Sequence, residues 1–381
     1  MKLLEDILVL DFSQFLSGPS ASLRLADMGA RVIKIERPGT GDICRKLYVS
    51  DAVVNGESTI FHAINRNKES YQADIKNTDD LEKIKKLIKE ADVMIHNFRP
   101  GVMERIGLSY DAVKKINPQL VYACINGYGD EGRWKDKPGQ DLLLQAVSGI
   151  TFLSGYKEDN PTPMGVAGAD ILAGTHLVQG ILTALFNRFT TGEGALIEVS
   201  MLESLLDFQF EVLTCFYNDG HALPQRSAVN NGHAYIGAPY GIYKTAEGYL
   251  ALAMGDIPGL GRLLGCDALL SYTNPADWFD KRDEIKVILQ DYLSPKSARE
   301  WLAILEPADI WCAEVLDYDM LMEKDGYKVL EMEQEVSIGN KFLKTTRCPI
   351  RVDGQILKSA KGAPSLGEHT AAIRKEFDLQ Q

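Results

Sequence analysis

The stretch GVAGADILAGTHLVQG, residues 165–180, places a single carboxylate, Asp170, between small residues and a long apolar segment with helical character. Aspartate is a preferred helix N-cap, because its oxygens accept the first free backbone N–H groups and its charge suits the positive end of the helix. The small residues Gly165, Ala167 and Gly168 also allow another molecule to approach the backbone closely. Asp170 is therefore either a helix cap or a reactive carboxylate, and this stretch alone does not distinguish the two.

Basic side chains follow the expected ends of several strands. Arg37 comes after RVIKIE, Lys68 lies in INRNKES, Arg99 in HNFRPG and Arg105 in VMERIG. The carboxyl ends of parallel strands form the ligand crevice of an open α/β sheet, so these cations favour an anionic ligand such as a phosphorylated nucleotide. The alternative for each of them is ordinary surface solubility, since Lys and Arg are mostly exposed.

The histidine and cysteine residues show no spacing that is typical of a functional site. The six cysteines (Cys44, Cys124, Cys215, Cys266, Cys312, Cys348) are scattered without metal-ligand spacing and are expected to be reduced packing residues. The histidines form no HExxH or HxH pattern, so the sequence predicts no metal site. His176, six residues after Asp170, should point away from it on a helix. His233, in the loop NNGHAY, is a candidate contact for a substrate.

The elements that must position these residues begin with βαβ units. The apolar run ILVLDF (7–12) precedes a helical segment at 19–30 and the strand-like RVIKIE (31–36), and the alternation continues with an amphipathic helix at 80–92, VMIHNF (93–98) and LVYACING (120–127). The strands are nearly continuous Val, Ile and Leu, as expected for strands buried on both faces. The pattern predicts an α/β fold with a Rossmann-like parallel sheet.

The second half of the chain is expected to complete the large domain and then to form a smaller α/β domain. The helix at Asp170 is expected to run to Phe189, followed by a strand at 196–201 and a second apolar helix at 202–217. Residues 218–240 are rich in Gly, Pro and Asn, which indicates a connection between domains. We expect a large domain at 1–217 plus 326–381, a linker at 218–224 and a small domain at 225–325.

Familiar nucleotide-binding motifs do not fit this sequence. The second strand ends in Glu36, as in dinucleotide-binding domains, but the first turn reads SQFLSGPS and has Gly18 alone where GxGxxG is required. No GxxxxGK[ST] phosphate loop occurs either. The likeness to Rossmann proteins is therefore one of topology.

Composition bounds the remaining function classes. The 381 residues are 45% hydrophobic and 25% charged, with a formal net charge of −12. The acidic balance argues against nucleic-acid or anionic-membrane binding, which needs clustered Lys and Arg. The N-terminus has no cleavable-signal pattern and no run of 18 apolar residues occurs, so a cytoplasmic protein is expected.

Seven segments together resemble the class III CoA-transferases, also called the CaiB/BaiF family. In chain order and spacing they are IKIERPGTGD, INRNKES, ADVMIHNFRPGVMERIGLSYD, INPQLVYACINGYG, GQDLLLQAVSGI, GADILAGTHLVQGILTAL and APSLGEHT. The resemblance covers nearly the whole chain, and its specificity comes from the sum of these segments rather than from any one of them.

The resemblance implies an interlocked homodimer in which Asp170 is the catalytic nucleophile. It also implies coenzyme A contacts at Leu16, Ser17, Arg37, Asn65, Arg66, Asn67, Lys68, Asn97, Phe98, Arg99 and Arg105. The reaction would move CoA from an acyl-CoA donor to a carboxylic acid acceptor. A carboxylate that attacks a thioester forms a mixed anhydride and releases CoA thiolate, which returns to give an aspartyl-CoA thioester. No permanently bound cofactor or metal is implied, since the CoA thioester is a substrate.

Two alternatives remain open at this point. The related 2-methylacyl-CoA racemases share the fold and the aspartate but use a histidine in a GHD-type sequence, where this chain has Gly139, Gln140 and Asp141. Gln140 cannot take a proton from a substrate α-carbon, which disfavours racemisation. A catalytically silent CoA-ester-binding protein is the other alternative. YIGAPYGIY lacks the glycine run of the oxalate-using relatives, and Leu16 stands where some relatives have a glutamine. Both departures weaken the case for oxalate and formate as substrates, which stay open possibilities only.

Overall fold

The computed structural model of the chain describes residues 3–47 and 52–379. The chain divides into two compact units. The first unit comprises Met1–Leu144, Ala167–Phe208 and Val329–Gln381, and the second comprises Gln145–Val166 and Gln209–Lys328.

The strands in chain order are β1 (Leu8–Asp11), β2 (Arg31–Glu36), β3 (Val53–Val54), β4 (Glu57–Ser58), β5 (Glu69–Gln72), β6 (Val93–His96), β7 (Val121–Asn126), β8 (Leu196–Ser200), β9 (Gly241–Lys244), β10 (Tyr249–Leu252), β11 (Cys312–Glu314), β12 (Glu333–Ile338), β13 (Lys341–Thr346), β14 (Arg351–Val352) and β15 (Gln355–Ile356).

The α-helices are α1 (Ser17–Asp27), α2 (Thr59–Asn65), α3 (Thr78–Glu90), α4 (Val102–Arg105), α5 (Tyr110–Ile116), α6 (Asp141–Ser148), α7 (Gly168–Thr191), α8 (Met201–Phe208), α9 (Phe210–Asn218), α10 (Ile257–Leu264), α11 (Asp277–Asp280), α12 (Arg282–Leu293), α13 (Ala298–Leu305), α14 (Tyr318–Glu323), α15 (Asp325–Lys328) and α16 (Thr370–Glu376). Short 3-10 helices span Ile43–Lys46, Ile150–Phe152, Asp267–Ser271 and Glu306–Ala308.

A parallel sheet with the strand order β5-β2-β1-β6-β7-β8 forms the centre of the first unit. The apolar residues of β1, β2 and β6 are almost completely buried, which confirms the prediction from their continuous Val, Ile and Leu runs. The order of strands reverses between β1 and β6. In open α/β sheets this point marks the crevice where ligands bind, at the carboxyl ends of the strands.

Strand β5 was not predicted, because ESYQ carries no apolar run or alternation. It lies at one edge of the sheet, where Tyr71 is fully buried and Ser70 Oγ donates to Glu36 Oε2 at 2.6 Å. Lys68 therefore precedes a strand, and the expectation that it follows one is wrong. Because β5 is polar, it lacks the apolar pattern by which the other strands of the sheet were predicted.

Helix α7 is the long helix predicted at Asp170, and it ends at Thr191 with Gly192 in the left-handed conformation that commonly terminates helices. By length and composition this helix alone, among the described residues, could cross a membrane. Its apolar face is packed as in a core helix, with Ala173, Leu177 and Ile181 fully buried. Such burial is what a helix covering a sheet requires.

The second unit contains an antiparallel sheet with the order β11-β10-β9. Residues 243–254, which resemble one strand in sequence, form a hairpin that turns at residues 245–248. The core of the second unit includes Tyr243, Ile285 and Trp301, and Trp301 Nε1 donates to the Leu293 carbonyl at 2.7 Å.

The two units differ from the expected domains at identifiable places. The apolar segment 202–217 is two helices, α8 and α9, and the units divide between them at residues 208 and 209. Gln209 lies outside the helical φ/ψ region although it is neither Gly nor Pro, so no residue typical of a helix break marks this position in the sequence. Residues 145–166 also group with the second unit. The C-terminal segment groups with the first unit, where His369 N–H donates to the Ser70 carbonyl of β5.

Candidate functional site

A cavity of about 550 Å³ lies in the first unit at the carboxyl ends of the parallel strands. The loops after β1, β6 and β7 form much of its wall, as the reversal of strand order between β1 and β6 leads one to expect. The wall residues used below are Gln14, Leu16, Ser17, Cys44, Asn97, Phe98, Arg99, Gly127, Lys135, Lys137, Gly139, Gln140, Asp141 and Asp170.

Asp170 is not the cap of α7. Ala167 occupies the N-cap position and makes no side-chain capping bond, and Asp170 is the third residue of the helix. Its backbone N–H donates to Asp141 Oδ2 at 3.1 Å. Asp141 thus provides from α6 the oxygen that an N-cap residue would normally supply. The Asp170 carboxylate is consequently not needed for capping.

The environment of Asp170 makes its carboxylate more basic than usual. Burial and the negative charge of Asp141 raise the pKa of Asp170 to about 6, against hydrogen bonds from the Ser17 hydroxyl and backbone amide that lower it. Perturbed carboxyl groups in clefts are typical of functional sites. At neutral pH the group is mainly ionised and can act as a nucleophile.

Helices α1 and α7 approach each other closely beside Asp170. A Cβ atom on Gly174 would lie 2.2 Å from Ser20 Oγ and 2.8 Å from the Ser17 carbonyl oxygen. Only glycine allows this approach, one turn along α7 from Asp170. The small residues of the GADILAGT motif therefore place the carboxylate of α7 against the first residue of α1.

Ion pairs between buried lysine and aspartate side chains support the loop between β1 and α1. Lys34 and Lys68 are completely buried; Lys34 Nζ lies 2.9 Å from Asp42 Oδ2, and Lys68 Nζ lies 3.0 Å from Asp11 Oδ2. Burial opposes ionisation of Asp11, but Lys68 and Lys34 outweigh it and hold the pKa of that carboxyl well below its usual range. Lys34 Nζ also donates to the Ser13 carbonyl at 2.8 Å, and so fixes the loop that precedes Ser17.

The cavity brings together five of the residues expected to contact CoA: Leu16, Ser17, Asn97, Phe98 and Arg99. Arg37 instead lines an adjoining cavity of about 120 Å³, which shares Gln14 and Phe98 with the larger one. Arg105 is exposed at the end of α4, where its Nε donates to the Gly101 carbonyl at 3.0 Å. It does not line the cavity of Asp170.

Residues 65–68 lie elsewhere. Asn65, Arg66 and Lys68 are buried, and the expected residue Asn67 is half-buried. Arg66 forms an ion pair with Asp27. Lys68 Nζ contacts Asp11 and also donates hydrogen bonds to three further acceptors: the Pro19 carbonyl, Ser22 Oγ and Asn65 Oδ1. The ammonium of Lys68 is fully engaged by the protein, so its placement does not support contact with a nucleotide phosphate.

Sequence reasoning missed a basic loop between β7 and α6. Lys135 and Lys137 line the cavity, and Lys137 Nζ lies 5.1 Å from the centre of the Trp134 ring. Gly127 and Gly139 meet at the base of this loop. A Cβ atom added to either glycine would lie 2.8 Å from the Cα atom of the other. The only available signal was the segment GYGDEGRWKDKPGQ, two glycine-bounded lysines in a polar stretch.

Histidine and cysteine have no visible part in this site beyond Cys44. His176 Nδ1 lies 3.0 Å from Ser204 Oγ and does not line the cavity, as its position on the helix predicted. His233 belongs to the second unit, where its Nδ1 accepts from the Tyr235 N–H at 3.1 Å. The six cysteines are unpaired. Within residues 3–47 and 52–379 no cluster of His, Cys, Asp or Glu has the arrangement of a metal site.

Comparisons with known proteins agree on one family. The model of CoA-transferase family III matches residues 4–370. An acetyl-CoA:oxalate CoA-transferase of Acetobacter aceti is 32% identical over 395 residues, covering 98% of this chain and 95% of that protein. A succinyl-CoA:glutarate CoA-transferase of Mus musculus is 30% identical over 395 residues, covering 99% of this chain and 86% of that protein. The crystal structure of a CaiB/BaiF family protein from Brucella suis matches with a TM-score of 0.84 and 31% identity, covering 98% of both chains. The chain is therefore an enzyme of CoA-transferase family III.

Proposed function

We propose that Asp170 is the nucleophile of a transferase that moves CoA from an acyl-CoA donor to a dicarboxylic acid. The observation that carries this proposal is the half-buried Asp170 carboxylate in the wall of the cavity, freed from capping by Asp141. With a pKa of about 6 the carboxylate is still mainly ionised at pH 7, and the raised pKa makes it a stronger nucleophile than an exposed aspartate.

The chemistry proceeds by exchange at carbonyl carbons. An Asp170 oxygen attacks the donor thioester carbonyl, the C–S bond breaks, and CoA leaves as a thiolate with a mixed anhydride on the enzyme. The thiolate then attacks the aspartyl carbonyl, which releases the donor acid and leaves an aspartyl-CoA thioester. The acceptor carboxylate repeats these two steps in the opposite direction. The acyl-CoA bond energy is conserved throughout, so no ATP is needed.

The nucleotide end of CoA is assigned to the smaller cavity. Arg37 and Lys76 both line it, and guanidinium and ammonium groups suit phosphate oxygens. Because Gln14 and Phe98 belong to both cavities, an extended ligand can reach from Arg37 to Asp170. Arg105, which the family resemblance implies as a further phosphate contact, stays part of this proposal.

A dicarboxylic acid is favoured as the acceptor by the charges around Asp170. Arg99, Lys135 and Lys137 line the cavity, against the two carboxylates of Asp141 and Asp170. One carboxylate of the acceptor would react while the other pairs with these cations. The relatives from Acetobacter aceti and Mus musculus are named for oxalate and glutarate, which are both dicarboxylic acids.

Isomerisation has no comparable support. Gln140 lines the cavity at the position that carries a histidine base in the racemases, and no histidine is in the described wall. An amide cannot remove an α-proton. A purely binding role would leave the perturbed carboxyl group in the cavity without a purpose.

The assembly and location implied by the resemblance also belong to this proposal. Phe186 and Phe189 on α7 are 76% and 85% exposed, and exposed aromatic side chains at neighbouring positions favour an interface. We propose a homodimer in the cytoplasm. Sedimentation of the purified chain as a monomer at micromolar concentration would contradict the dimer.

Trapping the covalent intermediate tests the nucleophile. The enzyme is incubated with acetyl-CoA or succinyl-CoA without acceptor, treated with hydroxylamine and digested. We expect a hydroxamate at Asp170 in the peptide that contains residues 165–180, and none in Asp170→Asn. A hydroxamate on another residue, or transfer to oxalate or glutarate by Asp170→Asn at the wild-type rate, would refute the proposal. A panel of mono- and dicarboxylic acids of equal chain length then tests the acceptor class.

A further inference from the structure

The side-chain amide of Asn97 is paired with the backbone of Gln14. The Gln14 N–H donates to Asn97 Oδ1 at 2.9 Å, and Asn97 Nδ2 donates to the Gln14 carbonyl at 2.7 Å. Because a backbone N–H only donates and a carbonyl only accepts, the oxygen and nitrogen of this amide cannot be exchanged. Asn97 therefore has one defined orientation, and one Nδ2 hydrogen is available for another acceptor.

That hydrogen is directed at Ser17. Asn97 Nδ2 lies 3.3 Å from Ser17 Oγ. The buried residue Ser17 lines the same cavity as Asp170, and it lowers the pKa of the Asp170 carboxyl as a hydrogen bond to the charged form would. A hydroxyl has a single hydrogen. Since Ser17 Oγ accepts from Asn97, its own hydrogen is left for Asp170.

We propose that Asn97 and Ser17 are positioning residues, which direct the Ser17 O–H and N–H at the Asp170 carboxylate and so hold it facing the cavity. The inference rests on the proposed role of Asp170 as the nucleophile. It assigns to Asn97 and Ser17 a task distinct from the CoA contacts that the family resemblance implies for them.

The geometry of the loop supports this role. Phe15, which follows Gln14 in this loop, has a φ of 63°, a conformation that is uncommon for residues other than glycine. Its N–H donates to Asp42 Oδ1 at 3.2 Å, and the Gln14 pairing with Asn97 fixes the preceding peptide. The loop is thus held from both sides in the conformation that brings Ser17 to the start of α1.

Other charged groups also face Asp170. Asp141 of α6 opposes its ionisation, and the cavity wall carries Arg99, Lys135 and Lys137 together with the Cys44 thiol. Among these neighbours Ser17 lowers the pKa of the carboxyl group through its hydroxyl and its backbone N–H, because hydrogen bonds to the charged form favour it. Removing the Ser17 hydroxyl should therefore raise the pKa of Asp170 above about 6.

The test measures the carboxyl group directly. Protein labelled with ¹³C at the aspartate Cγ is titrated by NMR, and the Asp170 signal is identified by its loss in Asp170→Asn. In Ser17→Ala we expect the pKa of Asp170 to rise by about one unit, as for one lost hydrogen bond to a carboxylate. Asn97→Ala should raise it in the same direction, and Ser17→Thr, which keeps a hydroxyl, should restore it.

Ser20→Ala is the matched control, because Ser20 Oγ donates to the Ser17 carbonyl within the same helical turn and does not line the cavity. An unchanged Asp170 pKa in Ser17→Ala, or a shift in Ser20→Ala as large as that in Ser17→Ala, would overturn the inference. The pH profile of transfer from acetyl-CoA to oxalate is read separately. A shifted carboxyl pKa with an unshifted transfer profile would support the hydrogen-bond chain and refute Asp170 as the nucleophile.

Discussion

Asp141 Oδ2 accepts the backbone N–H of Asp170 at 3.1 Å, so a hydrogen bond joins the acidic residues of α6 and α7, and the negative charge of Asp141, together with burial, raises the pKa of Asp170. The same contact has two effects of opposite kind. It stabilises the first turn of α7, and it makes the Asp170 carboxylate harder to ionise. An amide at position 141 would keep the first effect and remove the second.

Asp141→Asn should therefore lower the pKa of Asp170 from about 6 toward its usual value. The acid limb of the kcat/KM profile for transfer should move to lower pH, because the carboxylate then stays ionised in more acidic solution. Asp136→Asn, in the exposed loop that precedes α6, serves as the control. An acid limb that moves to higher pH, or equal movement in both variants, would contradict the assigned role of Asp141.

The sequence predicted the sheet well where burial dictates composition. RVIKIE is strand β2 with both ends correct, and VMIH is β6, because strands covered on both faces must be apolar. The edge strand β5 was missed, and with it the burial of Lys68, since a polar strand has no periodic signal. The order of strands determines where the cavity lies. It depends on long-range pairing between strands, which local sequence patterns do not reveal.

The candidate site was predicted in part. Asp170 stood out because small residues precede it, and Arg99 was found because it follows an apolar strand. Asp141 is 29 residues from Asp170 in the chain, and nothing in GQDLLL indicates that it meets the first turn of α7. Asn97 was expected to contact CoA by resemblance, but its pairing with Gln14 depends on the backbone of another loop.

Arg37→Ala should weaken the binding of CoA by about 10- to 100-fold, the range for one lost charge-assisted hydrogen bond. Arg37 is exposed in the wall of the smaller cavity, so its loss should leave folding unaffected. Isothermal titration with free CoA measures the effect without turnover. Arg262→Ala, an exposed arginine of the second unit, is the control. Equal affinities of the two variants would show that the nucleotide lies elsewhere.

Gly174→Ala should separate α7 from α1. The added methyl group would lie 2.2 Å from Ser20 Oγ and 2.8 Å from the Ser17 carbonyl oxygen, so the helices must move apart. We expect destabilisation by about 1–3 kcal/mol, as for overpacking, together with a loss of transfer activity as Asp170 moves away from Ser17. Urea unfolding and steady-state assays measure the two effects. Thr175→Ala, at an exposed position of the same helix, should change neither, and wild-type behaviour of Gly174→Ala would contradict the close helix approach.

Asp170→Asn should abolish transfer and change how stability depends on pH. The pKa of Asp170 is raised from 3.8 to about 6 on folding, so the folded state binds an extra proton between these values. Its favourable contribution is complete below about pH 3.8 and is lost as the pH rises through about 6, a change of about 3 kcal/mol. Asparagine does not titrate, so the free energy of unfolding of the variant should rise relative to wild type by most of that amount between pH 4 and pH 8.

Urea unfolding across this pH range measures the difference between the two proteins. The comparison uses changes with pH, and so it does not depend on how well asparagine fits the site at any single pH. A difference that stays constant from pH 4 to pH 8 would show that the Asp170 carboxyl group has an ordinary pKa in the folded protein. In that case neither burial in the cavity wall nor the negative charge of Asp141 would perturb it, and the electrostatic basis for its proposed reactivity would be lost.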